Sequence, residues 1–314
     1  MAAVDEQEIS RVQALVLYTI VLHARHQLQE ADLCIGRAAK IALKLGLNLP
    51  SFARDNATGD PVMEESLRRT WWELYTVDLW IAAVHRRLTC ETKTAKAFAF
   101  LPCSQLVSEA GKCDVDPPSL QAFEERPFAL NPRVDFSSHC YRIEAIRIVD
   151  RVISLAANDN ASPDSIQAVD NAIAGWKYSL PSAQPDVIDA SGDVDEVLFQ
   201  AHMYVQCASI FLHFPRSDLP ATIPSAADMT CARAHTRLCP TSTQHTIKAI
   251  AASKEISNLA AIPWPLELHT PFFVCALILA CIVQLAAASL HRHQCGALCL
   301  SQHRDRVLLL VLST

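Results

Sequence analysis

The stretch LRRTWWELYTVD, residues 67–78, decides the fold class that this sequence predicts. Its bulky side chains recur at the spacing of a helix face. That face carries three residues one turn apart: Trp71, Tyr75 and Asp78. Upstream, Asp60 and Pro61 are typical of an N-cap and a first-turn proline. The stretch therefore predicts a long helix over about 62–87 that packs a large apolar face against other elements.

Helical patterns continue on both sides of this stretch. Two of them, 9–23 and 29–46, predict a hairpin of antiparallel helices that Gly46 ends as a left-handed C-cap. A mixed, proline-containing segment, 88–134, predicts a loop with short helices. The remaining helices are expected over 137–157, 164–178, 193–214, 242–260, 270–290 and 303–312. Because runs with a period of two are nearly absent, the sequence predicts an all-α fold of packed antiparallel helices without a significant sheet.

Composition agrees with a large helical core. The chain has 314 residues, of which 51% are apolar and 19% charged, and its formal net charge is −6. A chain of this length can bury about three-quarters of its unfolded surface. The high aliphatic content excludes intrinsic disorder. The negative charge excludes a generally basic nucleic-acid binder, and the presence of only 7 glycines leaves few phosphate-cradling loops.

The twelve cysteines include no Cys-x-x-Cys pair, and several lie in apolar helical patterns as small hydrophobic side chains. The N-terminal stretch MAAVDEQEISR is acidic, whereas a signal peptide begins with basic residues. We therefore expect reduced thiols in an intracellular protein rather than a disulfide framework.

The best candidate metal ligands recur every four residues near the C-terminus: His291, Cys295, Cys299 and His303. Zinc accepts both imidazole and thiolate. Four ligands spread along about 18 Å of helix cannot, however, converge on one tetrahedral centre. We therefore predict that this chain holds no metal and no cofactor.

Catalytic motifs are absent from the sequence, including the Gly-x-Ser-x-Gly elbow, the Walker loop, the dinucleotide fingerprint and His-Glu-x-x-His. His23 and His26 lack an acidic partner at useful spacing, so we interpret them as helix-end residues. Two arginine pairs could contact phosphate: Arg68 with Arg69, and Arg86 with Arg87. In a chain of negative charge they are better explained as helix-terminus charges or as ion-pair partners of Glu64, Glu65 and Asp78. The sequence predicts that the protein is not an enzyme.

Residues 271–290, PFFVCALILACIVQLAAASL, allow two interpretations. By length and hydropathy they qualify as a membrane span. The alternative is a helix that is buried on all sides within a large all-α core. Thr270 and Pro271 would begin this helix as its cap and first turn.

The 67–78 stretch resembles the signature of the fungal-specific transcription factor domain. This domain is the middle homology region of zinc binuclear cluster regulators, and is also called the xylanolytic activator regulatory domain. The residues that carry the likeness are Arg68, Arg69, Trp71, Trp72, Tyr75 and Asp78. Residues 12–48 resemble the family's opening helical pair, and HRRLTCET and LPC its post-helix segment. FSSHCYRIEAIRI, GDVDEVLFQAHM, SIFLHFPRS and HTPFF continue the likeness in the expected order.

The resemblance implies one regulatory domain over 1–314, in which the opening pair and tryptophan helix (9–87) precede a loop-rich segment (88–134) and further helices (135–314). The six motif residues then have structural roles. A buried Asp78 would need Arg68, Arg69 or backbone donors, because a lone buried carboxylate is costly. The resemblance also favours a central buried helix over a membrane span at 271–290.

Family members usually carry an N-terminal cluster of six cysteines that holds two zinc ions and reads DNA. The first cysteine here is Cys34, which already lies in the second predicted helix. We therefore expect zinc only in the missing cluster, and DNA binding only from a family member that has it. Together, the motifs described above predict a domain that is truncated at both ends.

The resemblance implies a nuclear transcription regulator of the fungal RNA polymerase II type. Its regulatory domain would act through protein contacts or by sensing a small metabolite. The expected partners are other transcription regulators or coactivators, in homodimers or heterodimers, and no membrane. Two alternatives stay open, namely an interaction protein that modulates full-length regulators without contacting DNA, and a membrane-associated protein.

Overall fold

The computed structural model describes residues 6–87, 89–95, 98–103, 116–128, 136–156, 158, 161–180, 187–188, 192–222 and 241–291. In these residues the regular structure is helical, apart from one antiparallel bridge between Ile188 and Val194. The prediction of an all-α fold is confirmed.

Ten α-helices occur in the described part of the chain. They are α1 Glu6–Ala24, α2 Leu28–Leu45, α3 Phe52–Asn56, α4 Pro61–Val84, α5 Leu120–Glu124, α6 Ser138–Ala156, α7 Pro163–Tyr178, α8 Glu196–His213, α9 Ser242–Ala260 and α10 Phe273–His291. Short 3-10 turns lie at Thr92–Thr94, Arg126–Phe128, Phe214–Arg216, Pro220–Thr222 and Leu266–Leu268. The predicted helix over 303–312 lies outside the described residues.

The chain divides into two compact units. Unit 1 comprises Met1–Ala208 and Pro263–Cys275, and unit 2 comprises Ser209–Ile262 and Ala276–Thr314. Of the three boundaries, one falls within α8, one within α10, and the third between Ile262 and Pro263, after the end of α9. The assignment of 1–314 to one regulatory domain stays a prediction.

The α1–α2 hairpin opens unit 1 as predicted. The face of α2 that packs inward is built from small, fully buried side chains, namely Ala31, Ala38, Ala39 and Ala42, which permit close helix contact. Gly46 ends α2 with φ +86° and donates its backbone N–H to Ala42 and Leu43. A side chain at this position would be strained, because L-residues rarely adopt that conformation.

α4 buries 15 of its 24 residues and contacts α1, α2, α3 and α6. The side chain of Asp60 accepts a hydrogen bond from the Val62 backbone N–H at 2.9 Å, and Pro61 occupies the first turn, as predicted. Three tryptophans of α4 are almost completely buried: Trp71, Trp72 and Trp80. The predicted motif helix therefore packs at once against four other helices of unit 1.

α10 departs from the prediction of a helix buried on all sides. It is long and apolar enough to cross a membrane by length and composition, but only 33% of its most apolar window is buried. Val274, Ile278 and Leu285 are each more than half exposed, whereas Ala276, Ala280 and Ala286 are buried. The prediction failed because a helix that is apolar all round carries no periodic signal for which face is covered.

Within unit 2, a side-chain contact fixes α10 to α9. Gln284 Nε2 on α10 donates a hydrogen bond to Ser257 Oγ on α9 at 2.8 Å. Near the end of α8, His213 Nδ1 lies 2.8 Å from His245 Nδ1 on α9. Polar contacts of this kind give a specific register to helices whose alanine-rich faces would otherwise slide.

Candidate functional site

The first half of the motif on α4 is a cluster of ion pairs. Arg68 Nη1 lies 2.5 Å from Glu64 Oε1, and Arg68 Nε lies 3.1 Å from Glu65 Oε2. Arg69 Nε lies 2.8 Å from Glu65 Oε1. Burial acts to lower the pKa of Arg68, but the two carboxylates outweigh it and raise that pKa above its ordinary value. The prediction that these arginines pair with nearby carboxylates is confirmed.

The same half of the motif holds the segment 98–103 against α4. Glu65 Oε1 accepts a hydrogen bond from the Cys103 backbone N–H at 3.1 Å. Trp72 Nε1 donates to the Phe100 carbonyl at 2.9 Å, and the Trp72 ring stacks on Phe98. These contacts from the motif therefore fix residues 98–103 against α4.

The middle of the motif is packed in the core. The Tyr75 ring meets Trp72 edge-on with a centroid distance of 5.4 Å, and burial raises the pKa of Tyr75 above its ordinary value. Trp71 is fully buried, and its Nε1–H has no acceptor among the described residues. These contacts give Trp71, Trp72 and Tyr75 a structural role in the described residues.

Asp78 is fully buried and is held by residues beyond the end of α4. Its Oδ2 accepts from the Thr92 backbone N–H at 3.0 Å and from Thr92 Oγ1 at 2.8 Å, while Oδ1 accepts from Arg87 at 3.1 Å. Of the partners expected for a buried Asp78, the backbone donor is confirmed at Thr92, whereas Arg68 and Arg69 are wrong. The expected ion pair between the second arginine pair and Asp78 is made by Arg87. Ten residues of helix separate Arg68 from Asp78 by about 15 Å, too far for a direct contact.

Arg87 also begins a set of polar contacts that sequence reasoning missed. Its Nε lies 3.1 Å from Asp32 Oδ1, which is also 2.9 Å from His85 Nδ1. His85 Nε2 lies 3.0 Å from His23 Nδ1. The second nitrogen of His23, Nε2, lies 3.2 Å from the sulfur of a cysteine at the start of α10. We call this set the polar relay, and its members are Asp78, Arg87, Asp32, His85, His23 and Cys275.

The protonation of the relay follows from its surroundings. Burial, together with the charges of His85 and His26, lowers the pKa of His23 to about 4. Burial raises the pKa of Cys275 to about 11. At neutral pH the thiol of Cys275 can therefore donate to His23 Nε2, His23 Nδ1–H to His85, and His85 Nδ1–H to Asp32. Each of these three hydrogen bonds of the polar relay then has one donor and one acceptor.

Sequence patterns carry almost no signal for the polar relay, because its residues come from α1, α2, α4, α10 and the segment after α4. His23 was interpreted as a residue at a helix end without an acidic partner. The structure brings it to His85, which Asp32 holds from another helix. Such contacts between distant segments cannot be read from spacing within one helix.

An open cleft of about 1050 Å³ lies on unit 1 between α1, α2 and the segment 87–94. We call it the α2 cleft. Its ionisable side chains comprise five cations (Arg11, Arg37, Lys40, Lys44 and Arg87) and three carboxylates (Glu8, Asp32 and Glu91). Asp32 and Arg87 belong to the polar relay as well. The cleft therefore reaches, through these two residues, the buried Asp78 of the motif helix.

A smaller cavity of about 490 Å³ lies beside the first half of the motif, where Arg69 and Trp72 contribute to its lining. His139 and Arg142 line it from α6, and Arg142 pairs with Glu73. Burial and the charges of Arg142 and Arg69 lower the pKa of His139 to about 3. The ring is therefore neutral at physiological pH.

In the described ranges, no group of three or more His, Cys, Asp or Glu side chains is arranged to hold a metal ion. Of the candidate ligands predicted near the C-terminus, His291 is described. Cys295, Cys299 and His303 lie outside the described residues.

Comparison with known proteins defines the class. Residues 3–115, which contain the α1–α2 hairpin, the motif helix and the α2 cleft, match the model of the fungal specific transcription factor domain. The resemblance predicted from the sequence is therefore confirmed over residues 3–115.

The particular relative found is a C6 finger domain transcription factor, iacK, of Pestalotiopsis fici. The chain is 34% identical to it over 276 residues, which cover 88% of the chain and 41% of the relative. The chain thus spans less than half the length of this curated relative. No solved structure matches the chain.

Proposed function

We propose that the chain is the regulatory region of a fungal transcription regulator, and that it acts in the nucleus on transcription rather than as an enzyme. Two findings support this proposal. Residues 3–115 match a domain named for transcription factors, and the similar protein of P. fici is named a C6 finger domain transcription factor. DNA contact would come from a zinc cluster, whose residues this sequence does not contain.

The observation that carries the regulatory role is the link between the α2 cleft and the motif helix. Asp32 and Arg87 line the cleft, and Arg87 also binds the buried Asp78 at 3.1 Å. A molecule that engages Arg87 in the cleft would change the partners of Asp32 and Asp78. Such a molecule shifts the packing of the domain if it binds two arrangements with different affinity.

A reporter assay tests this role. The chain is fused to a DNA-binding module of known target, and reporter output is measured over a range of nutrient conditions. We expect output that varies with the condition, and a flattened response in Asp32→Asn, which weakens the contacts of Arg87 and His85. Asp55→Asn is the matched control, because Asp55 is exposed on α3 and lies outside both the relay and the cleft.

Two results would contradict the role. The first is constant output of the unmodified fusion in every condition. The second is a response of Asp32→Asn equal to that of Asp55→Asn, which would separate the relay from regulation.

A second candidate function is an interaction protein that binds a cluster-bearing regulator and modulates it. The supporting observation is an apolar surface on α1, where Leu17, Tyr18 and Val21 are each about half exposed or more. Such surfaces often mark protein contacts. This function predicts co-purification with a cluster-bearing regulator, and loss of the complex in Leu17→Glu. A chain that stays monomeric and without such a partner contradicts it.

A further inference from the structure

We propose that the α2 cleft binds a small organic anion with at least two carboxylate or phosphate groups, and that Arg37, Lys44 and Arg87 hold it. This inference deepens the proposed function, on which it rests for its regulatory meaning. Binding itself is a property of the purified chain and can be tested without transcription.

Two cations of the cleft have no partner in the described part of the chain. Arg11 pairs with Glu8 at 3.1 Å, and Lys40 pairs with Glu91 at 3.3 Å. The side chains of Arg37 and Lys44 are exposed, and neither makes an ion pair or hydrogen bond to a described residue. The five cations of the cleft outnumber its three carboxylates by two, so the cleft carries a net positive charge although the chain as a whole is negative.

The third cation offers an unused donor. Arg87 Nε is buried and has no hydrogen-bond partner among the described residues, although Asp32 Oδ1 lies 3.1 Å away. The distance is short but the direction is poor, so the Asp32 contact is an ion pair without a directed N–H···O bond. The Arg87 side chain is 23% exposed and lines the cleft, so an anion that draws it away from Asp32 would gain a charge-assisted hydrogen bond, which is among the stronger ones in proteins.

Spacing along α2 sets the kind of anion that fits. Arg37, Lys40 and Lys44 follow one another at intervals of three and four residues, so they share one face of the helix. The rise from the first to the last is about 10.5 Å. Two anionic groups separated by one to two helical turns can therefore each meet a cation. Leu33 and Ile41, which line the same cleft, offer apolar contact to the carbon skeleton between them.

The carboxylates of the cleft favour a small anion over an acidic peptide. Glu8, Asp32 and Glu91 lie among the cations and would repel a run of ligand carboxylates that passes along the whole cleft. The cleft volume of about 1050 Å³ is at the upper end of what small ligands occupy, roughly 300–1000 Å³. A compact molecule with a few charges meets both conditions.

Calorimetric titration of the purified 314-residue chain tests the proposal. Citrate is the carboxylate probe, pyrophosphate is the phosphate probe, and sodium chloride at equal ionic strength is the control for general screening. We expect saturable binding at one site by citrate, by pyrophosphate or by both. The probe that binds more tightly shows whether the cleft prefers carboxylate or phosphate groups.

Variants locate the site. Arg37→Gln and Lys44→Gln should each weaken binding by about three- to tenfold, because each removes one charge-assisted contact. Arg54→Gln is the matched control, since Arg54 is exposed on α3 outside the cleft, and it should leave affinity unchanged. All three positions are exposed, and far-UV circular dichroism verifies that the helices remain.

Three outcomes overturn the inference. The first is that neither probe binds beyond the chloride control. The second is that the two cleft variants bind the probes as tightly as Arg54→Gln does. The third is that hexaglutamate binds where both small anions fail. The last result would assign the surface to a protein segment. A reporter that stays constant while the titration succeeds contradicts the proposed function and leaves the anion site intact.

Discussion

α4 and α10 are both long helices rich in large apolar residues, yet they differ in how they are buried. α4 buries 15 of its 24 residues, whereas only 33% of the most apolar window of α10 is buried. The buried set of α4 includes charged side chains with partners, such as Glu65, Arg68 and Asp78. Buried polar groups that have hydrogen-bond partners fix the orientation of a helix against its neighbours, whereas apolar side chains alone leave that orientation open.

The largest expected effect comes from removing a buried ring of α4. Trp71→Ala should lower the free energy of unfolding by about 3–5 kcal/mol, because it leaves a cavity at a fully buried position. Urea unfolding followed by circular dichroism measures the loss. A loss below about 1 kcal/mol, which is usual for surface positions, would place Trp71 outside the core and undo the comparison.

The next largest effect is expected from removing a polar partner of the buried Asp78 on α4. Arg87→Met keeps much of the side-chain volume but removes one partner of the fully buried Asp78, which retains Thr92. We expect a loss of about 2 kcal/mol, because a buried carboxylate is then only partly satisfied. The same urea experiment measures it. Stability equal to that of the unmodified chain would show that Thr92 alone suffices.

The polar relay gives a pH dependence with a defined sign. The pKa of His23 is lowered to about 4 in the folded chain from an ordinary value of 6.5. Between these values the unfolded chain takes up a proton that the folded chain resists, so the His23 contribution to stability is lost as pH falls through that window. The urea midpoint should therefore drop from pH 7 to pH 4, and the drop should be smaller in His23→Asn.

His139 contributes to acid sensitivity in the same direction, since its pKa is also lowered, to about 3. His139→Asn is therefore the companion variant for this measurement. If the slope between pH 6.5 and pH 4 is the same in His23→Asn as in the unmodified chain, the relay has no part in it.

The smallest effect is expected on the outer face of α10. Ile278 is 54% exposed, so Ile278→Ala should change the free energy of unfolding by less than about 0.5 kcal/mol. Thermal or urea unfolding measures the difference from the unmodified chain. A loss of several kcal/mol would mean that this face is covered, and α10 would then resemble α4 after all.

Local chemistry explains which features could be predicted. The start of α4 at Asp60 and Pro61 and the end of α2 at Gly46 depend on neighbours in sequence, and both predictions are confirmed. The pairing of Arg68 and Arg69 with Glu64 and Glu65 depends on intervals of three and four residues along one helix. These contacts need no knowledge of the tertiary fold.

Long-range chemistry explains what could not be predicted. Asp78 meets Thr92 only because the chain turns back after α4, where Arg86 has φ +58°. The contact from His85 to Asp32 joins residues from two separate segments. No spacing rule within one element anticipates such contacts, and the α2 cleft that depends on them was equally invisible in the sequence.

The hold of Asp78 on Thr92 has an evolutionary consequence. One carboxylate oxygen accepts both the backbone N–H and the hydroxyl of Thr92, which fixes the turn Thr92–Thr94 to the buried part of α4. The neighbouring residues Thr89, Glu91 and Thr94 line the cleft without taking part in that attachment. If the α2 cleft binds an anion as we propose, substitutions at these three positions would change its specificity while the contacts between Asp78 and Thr92 retain the architecture.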